Sequence, residues 1–179
     1  MIYLFLAPGF EETEAICTLD LIKRGGIEVK TVAVGTEGLA VTSTRGITVT
    51  ADVSLKEAQK VLPDGLVLPG GLPGADNLNV PEIHEMLHAV NKKGGMLAAI
   101  CAAPYVLGSQ LLLVGKKATC YPGFEERLAG ATVTGEAVVR DGNVITAIGM
   151  GATIPFGLAI VEYFKDENTA AGIKKAIFA

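Results

Sequence analysis

Short apolar runs alternate with longer segments of helical periodicity, and this alternation restricts the fold more than any other feature of the chain. The apolar runs cover Ile2–Leu6, 29–34, 66–68, Met96–Ile100 and 118–120. Segments of helical composition cover 11–25, 81–93, 102–110, 152–164 and 167–177. Apolar strands that alternate with helices at this spacing indicate right-handed crossovers and a parallel sheet buried on both faces.

Two parts of the chain predict antiparallel pairs instead. Short β segments within 40–51 flank Arg45-Gly46, and two more flank Asp141-Gly142, which is a strong hairpin signal. The sequence contains no linker, low-complexity tract or internal repeat, so residues 1–179 are expected to form a single domain. The predicted fold class is α/β, a three-layer sandwich with a mostly parallel central sheet.

Composition excludes several classes of protein. Half of the 179 residues are hydrophobic, which is enough for a substantial core, and the net charge is only -4. The three cysteines are scattered and odd in number, which favours a reducing compartment. The sequence contains no run of about 18 apolar residues and no basic, aromatic-rich stripe, and we expect no signal peptide. We therefore expect a cytoplasmic protein with no membrane or nucleic-acid partner.

Three chain breaks follow apolar runs and carry chemically useful residues. They are 8–14 after the first run, 69–74 after the third, and Cys101 directly after Met96–Ile100. Ligands of open parallel sheets bind outside the carboxyl ends of the strands. These three breaks are therefore expected to converge on one site.

Cys101 is the candidate nucleophile because it lies where a buried strand gives way to a helix. Helix N-terminal amides and the helix dipole favour a thiolate over a thiol. The backbone N–H of Ala102, and one from the Gly70-Gly71 turn, could also stabilise an oxyanion. On this segment alone, a small buried structural cysteine is an equally good interpretation.

Three motifs taken together resemble the ThiJ/PfpI superfamily, most closely its branch with the parkinsonism-associated protein deglycase and bacterial YajL. The motifs are APGFEETE at 7–14, LPGG at 68–71 and AAICAAP at 98–104. The resemblance covers essentially the whole chain, including TRG at 44–46 and LAIVE at 158–162. It implies a flavodoxin-like fold and a homodimer.

The resemblance also implies roles for individual residues. Cys101 corresponds to the reactive cysteine, and Glu14 to a protonated carboxyl that hydrogen-bonds the thiolate and serves as general acid and base. The backbone amides of Gly71 and Ala102 correspond to the oxyanion site. Glu11 and Glu12 are predicted to be exposed charges in the first turn of a helix.

The sequence departs from the family pattern at three positions near this site. Tyr121 stands where well-described enzymes of the branch have a histidine, and tyrosine is a poor base at neutral pH. Ile148 replaces an arginine that would accompany Arg45. Ala102 replaces the histidine of the peptidase branch, so peptidase activity is not expected. Arg45, Tyr121 and Cys120 are possible pocket residues.

A fourth motif matches the HExxH pattern of zinc peptidases, at His84 to His88. Ile83, Leu87 and Val90 give this helix its apolar stripe, which leaves both histidines to one side of it. The chain has no third histidine. The match is therefore interpreted as chance on a surface helix, and no metal site is expected.

The resemblance and the Cys101–Glu14 pair predict a cofactor-free enzyme for small reactive carbonyls. The expected substrates are glyoxal and methylglyoxal, or their early adducts on proteins, as in glyoxalase III or protein deglycase chemistry. The alternative is a redox sensor or chaperone-like stress protein in which oxidation of Cys101 is the functional event. The tyrosine at position 121 favours this alternative somewhat.

Overall fold

A seven-stranded sheet forms the centre of the molecule, as described by a computed structural model of residues 1–179. The strands are β1 (Ile2–Leu6), β2 (Val29–Ala33), β5 (Val53–Ser54), β6 (Gly65–Leu68), β7 (Met96–Ile100), β10 (Val138–Asp141) and β11 (Val144–Ala147). Their order in the sheet is β10-β11-β7-β6-β1-β2-β5, and every neighbouring pair is parallel except β10 with β11. The predicted α/β class and mostly parallel sheet are confirmed.

Helices cover both faces of this sheet. The helices are α1 (Glu12–Arg24), α2 (Leu55–Ala58), α3 (Gly74–Asn77), α4 (Pro81–Lys92), α5 (Pro104–Ser109), α6 (Thr153–Phe164) and α7 (Glu167–Ala176). Successive residues of a strand face opposite sides, so Tyr3 and Phe5 join the core beneath α2 to α5. Ile2, Leu4 and Leu6 join the second core, beneath α1, α6 and α7. The three-layer sandwich follows from this division of the apolar strand residues.

Two small ladders lie outside the central sheet. β3 (Ala40–Thr42) and β4 (Thr48–Thr50) form the predicted antiparallel pair around Arg45-Gly46. β8 (Lys117–Ala118) pairs in parallel with β9 (Thr132–Val133) and not with the central sheet. The run predicted as a strand at 118–120 is therefore shorter, because it leaves the ladder before Cys120.

The helix predicted over 102–110 is the main difference from expectation. A turn occupies 101–103, and α5 begins only at Pro104. Proline fits the first helical position, where its missing N–H costs nothing. Before it, the carbonyls of Ala102 and Ala103 accept N–H groups from residues three positions on, as in a turn rather than an α-helix. Cys101 is consequently separated from α5 by one turn of backbone.

None of the helices is both long and apolar enough to cross a membrane.

Candidate active site

The loops after β1, β6 and β7 meet at the carboxyl edge of the sheet. The N–H of Glu11 donates to the carbonyl of Gly70 at 2.9 Å, and the N–H of Gly74 donates to the carbonyl of Gly9 at 3.1 Å. A fourth segment joins them, because the N–H of Tyr121 donates to the carbonyl of Cys101 at 2.8 Å. Main-chain hydrogen bonds thus fix the relative positions of the loops that carry the candidate residues.

Cys101 has a left-handed backbone, with φ of 64°, in the sharp turn that follows β7. Its N–H still donates to the carbonyl of Ala147 at 2.9 Å, so the residue stays tied to β11. A residue with a side chain adopts this conformation only when the surrounding structure compels it, and such positions cluster at functional sites. The turn leaves the sulfur half-buried at the rim of the sheet.

Glu14 lies in the first turn of α1, and its side chain is almost entirely buried, with 1% exposure. The N–H of Gly70 donates to Oε2 at 2.8 Å, whereas Oε1 is buried without a hydrogen-bond partner. A buried carboxyl oxygen that accepts no hydrogen bond is stabilised by carrying a proton. The environment of Glu14 therefore suits an acid that holds its proton unusually firmly.

Glycine at position 70 is required for this approach. A Cβ at Gly70 would lie 2.6 Å from the Cβ of Cys101 and 2.7 Å from Oε2 of Glu14. Only the absence of a side chain lets the backbone after β6 pass between the acid and the thiol.

The two groups influence one another's ionisation. Burial raises the pKa of Glu14 to about 7, against the opposing effect of the Gly70 N–H. Burial also raises the pKa of the Cys101 thiol, and a negative charge on Glu14 raises it further. Because a charge on either group disfavours a charge on the other, Glu14 and Cys101 titrate as a coupled pair and are not both ionised near neutral pH.

Two backbone amides oppose the effect of burial on the pKa of the Cys101 thiol. The N–H groups of Gly71 and Ala102 face Cys101 and lower the pKa of its thiol. Gly71 has φ of 88°, and a Cβ there would lie 2.5 Å from the backbone nitrogen of Glu11, so only glycine fits. The two amides that the sequence proposed for an oxyanion site thus lie together beside the sulfur.

A cavity of about 280 Å³ opens above the sulfur. Of the predicted residues, Cys101, Gly71, Ala102, Arg45 and Tyr121 line it. The sequence interpretation did not include four further lining residues, which are Glu11, Thr44, Leu72 and Phe124.

Glu11 is not the exposed first-turn charge that its position suggested. It is the N-cap of α1, half-buried, and its Oε2 accepts the N–H of Glu14. Glu12 is also half-buried rather than exposed. A carboxylate that precedes a helix was the available signal for an N-cap, but it did not show that the loop after β3 would close over it.

The other two cysteines lie elsewhere. Cys120 is buried, does not line the cavity, and burial raises the pKa of its thiol to about 11. Cys17 is half-buried on α1, where burial raises its thiol pKa.

The histidines of the HExxH match have separate hydrogen-bond partners. Nε2 of His84 lies 2.7 Å from Oδ1 of Asn79, and Nε2 of His88 lies 3.3 Å from Oε1 of Gln110. No group of three or more histidine, cysteine, aspartate or glutamate side chains is arranged to hold a metal ion.

Comparison with known proteins establishes the family. The model of the DJ-1/PfpI family matches residues 1–163. This chain belongs to the DJ-1/PfpI family. Its similarity to Drosophila melanogaster Protein dj-1beta is 37% identity over 96% of this chain and 93% of the relative. The crystal structure of Drosophila DJ-1beta superposes with a TM-score of 0.93 at 33% identity, covering 99% of this chain and 97% of that one.

Other members of the family differ in length and in the function that their names describe. A Caenorhabditis elegans member, Glutathione-independent glyoxalase DJR-1.2, is 36% identical over 93% of this chain and 89% of its own length. The chain spans only 39% and 41% of the lengths of two Arabidopsis thaliana DJ-1 homologs. The resemblance to the ThiJ/PfpI superfamily and its flavodoxin-like fold is thereby confirmed.

Proposed function

We propose that this DJ-1/PfpI member is a cysteine-dependent enzyme that converts small α-oxoaldehydes to hydroxy acids without a cofactor, methylglyoxal to lactate being the simplest case. The single observation that carries the proposal is the convergence of the buried Glu14 carboxyl and the Gly71 and Ala102 amides on the Cys101 sulfur, which lines a cavity. The name of the C. elegans relative supports the same reaction class. The early adducts of these aldehydes on proteins are included among the substrates, as in deglycase chemistry.

The first step is addition of the sulfur to the aldehyde. The Glu14 carboxylate accepts the thiol proton as the Cys101 sulfur forms an S–C bond to the aldehyde carbon, whose oxygen gains negative charge. The amides of Gly71 and Ala102 stabilise that oxygen. Glu14 then gives its proton to the oxygen, and the product is a hemithioacetal next to the substrate's ketone.

The second step moves hydrogen between the two carbons. The Glu14 carboxylate removes the proton from the carbon bonded to sulfur and returns it to the former ketone carbon, while the hydroxyl proton of the hemithioacetal passes to the former ketone oxygen. The first carbon is thereby oxidised and the second reduced, so no external redox partner is needed. Water hydrolyses the resulting thioester, which breaks the S–C bond, releases the 2-hydroxy acid and restores the thiol.

Substitution at both positions tests this mechanism. We expect Cys101→Ser to abolish lactate formation from methylglyoxal. We expect Glu14→Gln to lower kcat by at least ~10²-fold, because Gln keeps the shape but transfers no proton. The Glu14→Gln protein should still be alkylated at Cys101 by iodoacetamide. Cys17→Ala is the matched thiol control and should retain wild-type turnover; lactate formation by Cys101→Ser would contradict the proposal.

A second candidate function is redox sensing, with a stress-protective or chaperone-like role. Of the three free cysteines, Cys101 lines the cavity described above, and position 121 there carries a tyrosine rather than a histidine. One peroxide would oxidise the thiolate to sulfenate with release of water, and a second would give sulfinate. Mass spectrometry after mild peroxide should then find oxidation first at Cys101; earlier oxidation of Cys17 or Cys120 would exclude this role.

We further propose that residues 1–179 act as one domain in a cytoplasmic homodimer. Three free cysteines are consistent with a reducing compartment. Ile16 on α1 and Ile154 on α6 are exposed apolar side chains on two helices that pack against each other. Exposed apolar residues at such positions favour a second copy of the chain as partner.

A further inference from the structure

We infer that the cavity beside Cys101 contains an aryl-binding subsite formed by Tyr121, Phe124 and Leu72, and that the preferred substrates are α-oxoaldehydes with an aromatic substituent. The inference rests on the proposed carbonyl chemistry for its reacting centre. The binding surface itself rests on the geometry of these three side chains.

Tyr121 is held next to the nucleophile by its own backbone. Its N–H donates to the carbonyl of Cys101, and its carbonyl accepts the N–H of Phe124 at 3.1 Å. A Cβ at Gly149 would lie 3.4 Å from Cδ2 of Tyr121, so the ring rests against backbone that carries no side chain. The ring is thus fixed on one side, while 51% of the residue remains exposed.

Phe124 is fixed in a similar way. Its ring centroid lies 6.0 Å from that of Tyr105, which is buried. The Arg127 guanidinium lies 5.2 Å from the Phe124 ring centroid and 3.5 Å from the Tyr105 ring centroid. Rings that are already ordered lose little conformational entropy when a ligand packs on them.

Leu72 adds an aliphatic surface from the loop after β6. It lines the same cavity as the two rings, and 51% of it is exposed. Three apolar side chains around one opening form an incomplete hydrophobic surface, which a flat apolar group would complete.

The size of the cavity suits an aromatic substrate. A cavity of about 150 Å³ with apolar walls holds a benzene ring, and this cavity measures about 280 Å³. The difference accommodates the two-carbon dicarbonyl unit that must reach Cys101. Methylglyoxal, by contrast, would leave the apolar surface largely uncovered.

The charged lining residues disfavour an anionic group as the feature that is recognised. Arg45 lines the cavity, but so does Glu11, whose carboxylate would repel a negatively charged substituent. Arg45 and Glu11 would act on a charged substituent in opposite directions, whereas the apolar side chains all favour an apolar one. The apolar surface therefore defines the substrate class.

The main test compares phenylglyoxal with methylglyoxal in initial-rate assays of mandelate and lactate formation. Burial of the phenyl ring should give the wild type a KM for phenylglyoxal ~10-fold lower than for methylglyoxal. Tyr121→Ala should raise the phenylglyoxal KM ~5- to 10-fold and the methylglyoxal KM by a smaller factor. Tyr121→Phe retains the ring and should keep the wild-type preference.

Phe178→Ala is the matched aromatic control, because Phe178 is 97% exposed at the chain end and lies outside the cavity lining. It should leave both KM values unchanged. Equal KM values for the two substrates in the wild type, or an equal change of both in Tyr121→Ala, would overturn the aryl subsite while leaving the proposed reaction intact.

A binding measurement separates this inference from the proposed function. Benzaldehyde forms a reversible hemithioacetal but has no second carbonyl to complete turnover, so it should slow iodoacetamide alkylation of Cys101. We expect Tyr121→Ala to need ~5- to 10-fold more benzaldehyde than the wild type for the same protection of Cys101. The acetaldehyde concentration needed for that protection should rise by a smaller factor. If neither α-oxoaldehyde is turned over, the proposed function fails. Weaker protection by benzaldehyde in Tyr121→Ala than in the wild type would still support the subsite. Equal protection in wild type and Tyr121→Ala would overturn the subsite.

Discussion

At the scale of single residues, the backbone of Cys101 is the clearest sign that the site is shaped for chemistry. A left-handed conformation at a residue with a Cβ costs roughly 1 kcal/mol or more. The hydrogen bonds to Ala147 and Tyr121 hold the residue in this conformation. This strained turn directs the sulfur to the cavity rather than to the core.

Substitution of Cys101 by glycine and alanine measures this strain. Both changes remove the sulfur, but only glycine adopts φ of 64° without penalty. We expect Cys101→Gly to be more stable to urea than Cys101→Ala by about 1 kcal/mol. If the alanine variant is the more stable of the two, the turn is not strained in solution.

The buried carboxyl of Glu14 predicts a pH dependence of stability. Its pKa is raised from an ordinary 4.5 to about 7 in the folded protein, so its stabilising contribution is complete below about pH 4.5 and is lost as pH rises through about 7. The full effect is about 3 kcal/mol.

This effect is best measured in a Cys101→Ser background, where the thiol no longer titrates. Urea unfolding at pH 5, 6.5 and 8 should show the Cys101→Ser protein losing stability relative to Cys101→Ser/Glu14→Gln as pH rises. A stability difference that stays constant across this range would mean that Glu14 ionises normally.

At the scale of elements, the strands and main helices were predictable because their apolar periodicity is decided locally. The two-residue strand β5 and the four-residue helices α2 and α3 were not predicted, since segments so short carry no period. The helix after Cys101 was predicted too early, because 102–103 have helical composition but form a turn with hydrogen bonds between residues three apart.

The site shows the same division between local and tertiary information. The positions of the chain breaks after the strands predicted that 8–14, 69–74 and Cys101 converge, and the family resemblance implied that Glu14, Gly71 and Ala102 act on Cys101. The contributions of Leu72 and Phe124 to the cavity depend on how three loops fold over one another, and no local pattern records that arrangement. The raised pKa of Glu14 likewise depends on burial, which a single position in an amphipathic helix does not fix.

The close approach of β6 to the site predicts the effect of a single methyl group. Gly70→Ala would place a Cβ against Cys101 and Glu14, so we expect kcat/KM for the α-oxoaldehyde to fall at least ~10-fold while the protein remains folded. Gly38→Ala is the matched control, because a Cβ there meets nothing within 4 Å. Wild-type activity in Gly70→Ala would show that the loop relaxes without moving the pair.

The space around two helical glycines predicts opposite effects of replacing them with alanine. In α6, Gly157→Ala would place a Cβ 2.6 Å from Cδ1 of the buried Leu21, so we expect a loss of about 1–3 kcal/mol of stability. In α7, Gly172→Ala meets nothing within 4 Å and should gain about 0.5–1 kcal/mol. Thermal unfolding of both variants measures the difference. A Gly157→Ala protein more stable than the wild type would mean that α1 and α6 pack with room for a methyl group between them.

At the scale of the whole molecule, one sheet separates two cores of comparable size. One lies beneath α2 to α5, and the other beneath α1, α6 and α7. The candidate site lies at the carboxyl edge of the sheet, where residues from both sides meet. Glu14 comes from α1, whereas Tyr121 and Phe124 come from the chain after α5.

The proposed homodimer gives a prediction at this scale. Light scattering on a sizing column should give twice the 18.5 kDa mass of the chain. Ile154→Glu should shift the protein toward the monomer, because a charge would be buried in the interface. Phe178→Glu adds the same charge at the exposed chain end and should not change the mass; a monomeric wild type would contradict the proposal.

The two borders of the central sheet have consequences for how the protein behaves when it is concentrated. One border is β5, which has only two residues, and the other is β10, where Arg140 pairs with Glu162 at 3.4 Å. A long, flat, uncharged border would recruit strands from other molecules and lead to fibrils. The edge strand β5 is too short to act as a template, and the edge strand β10 carries charged side chains. Both features resist such growth, which would keep a protein with this much apolar sequence from aggregating.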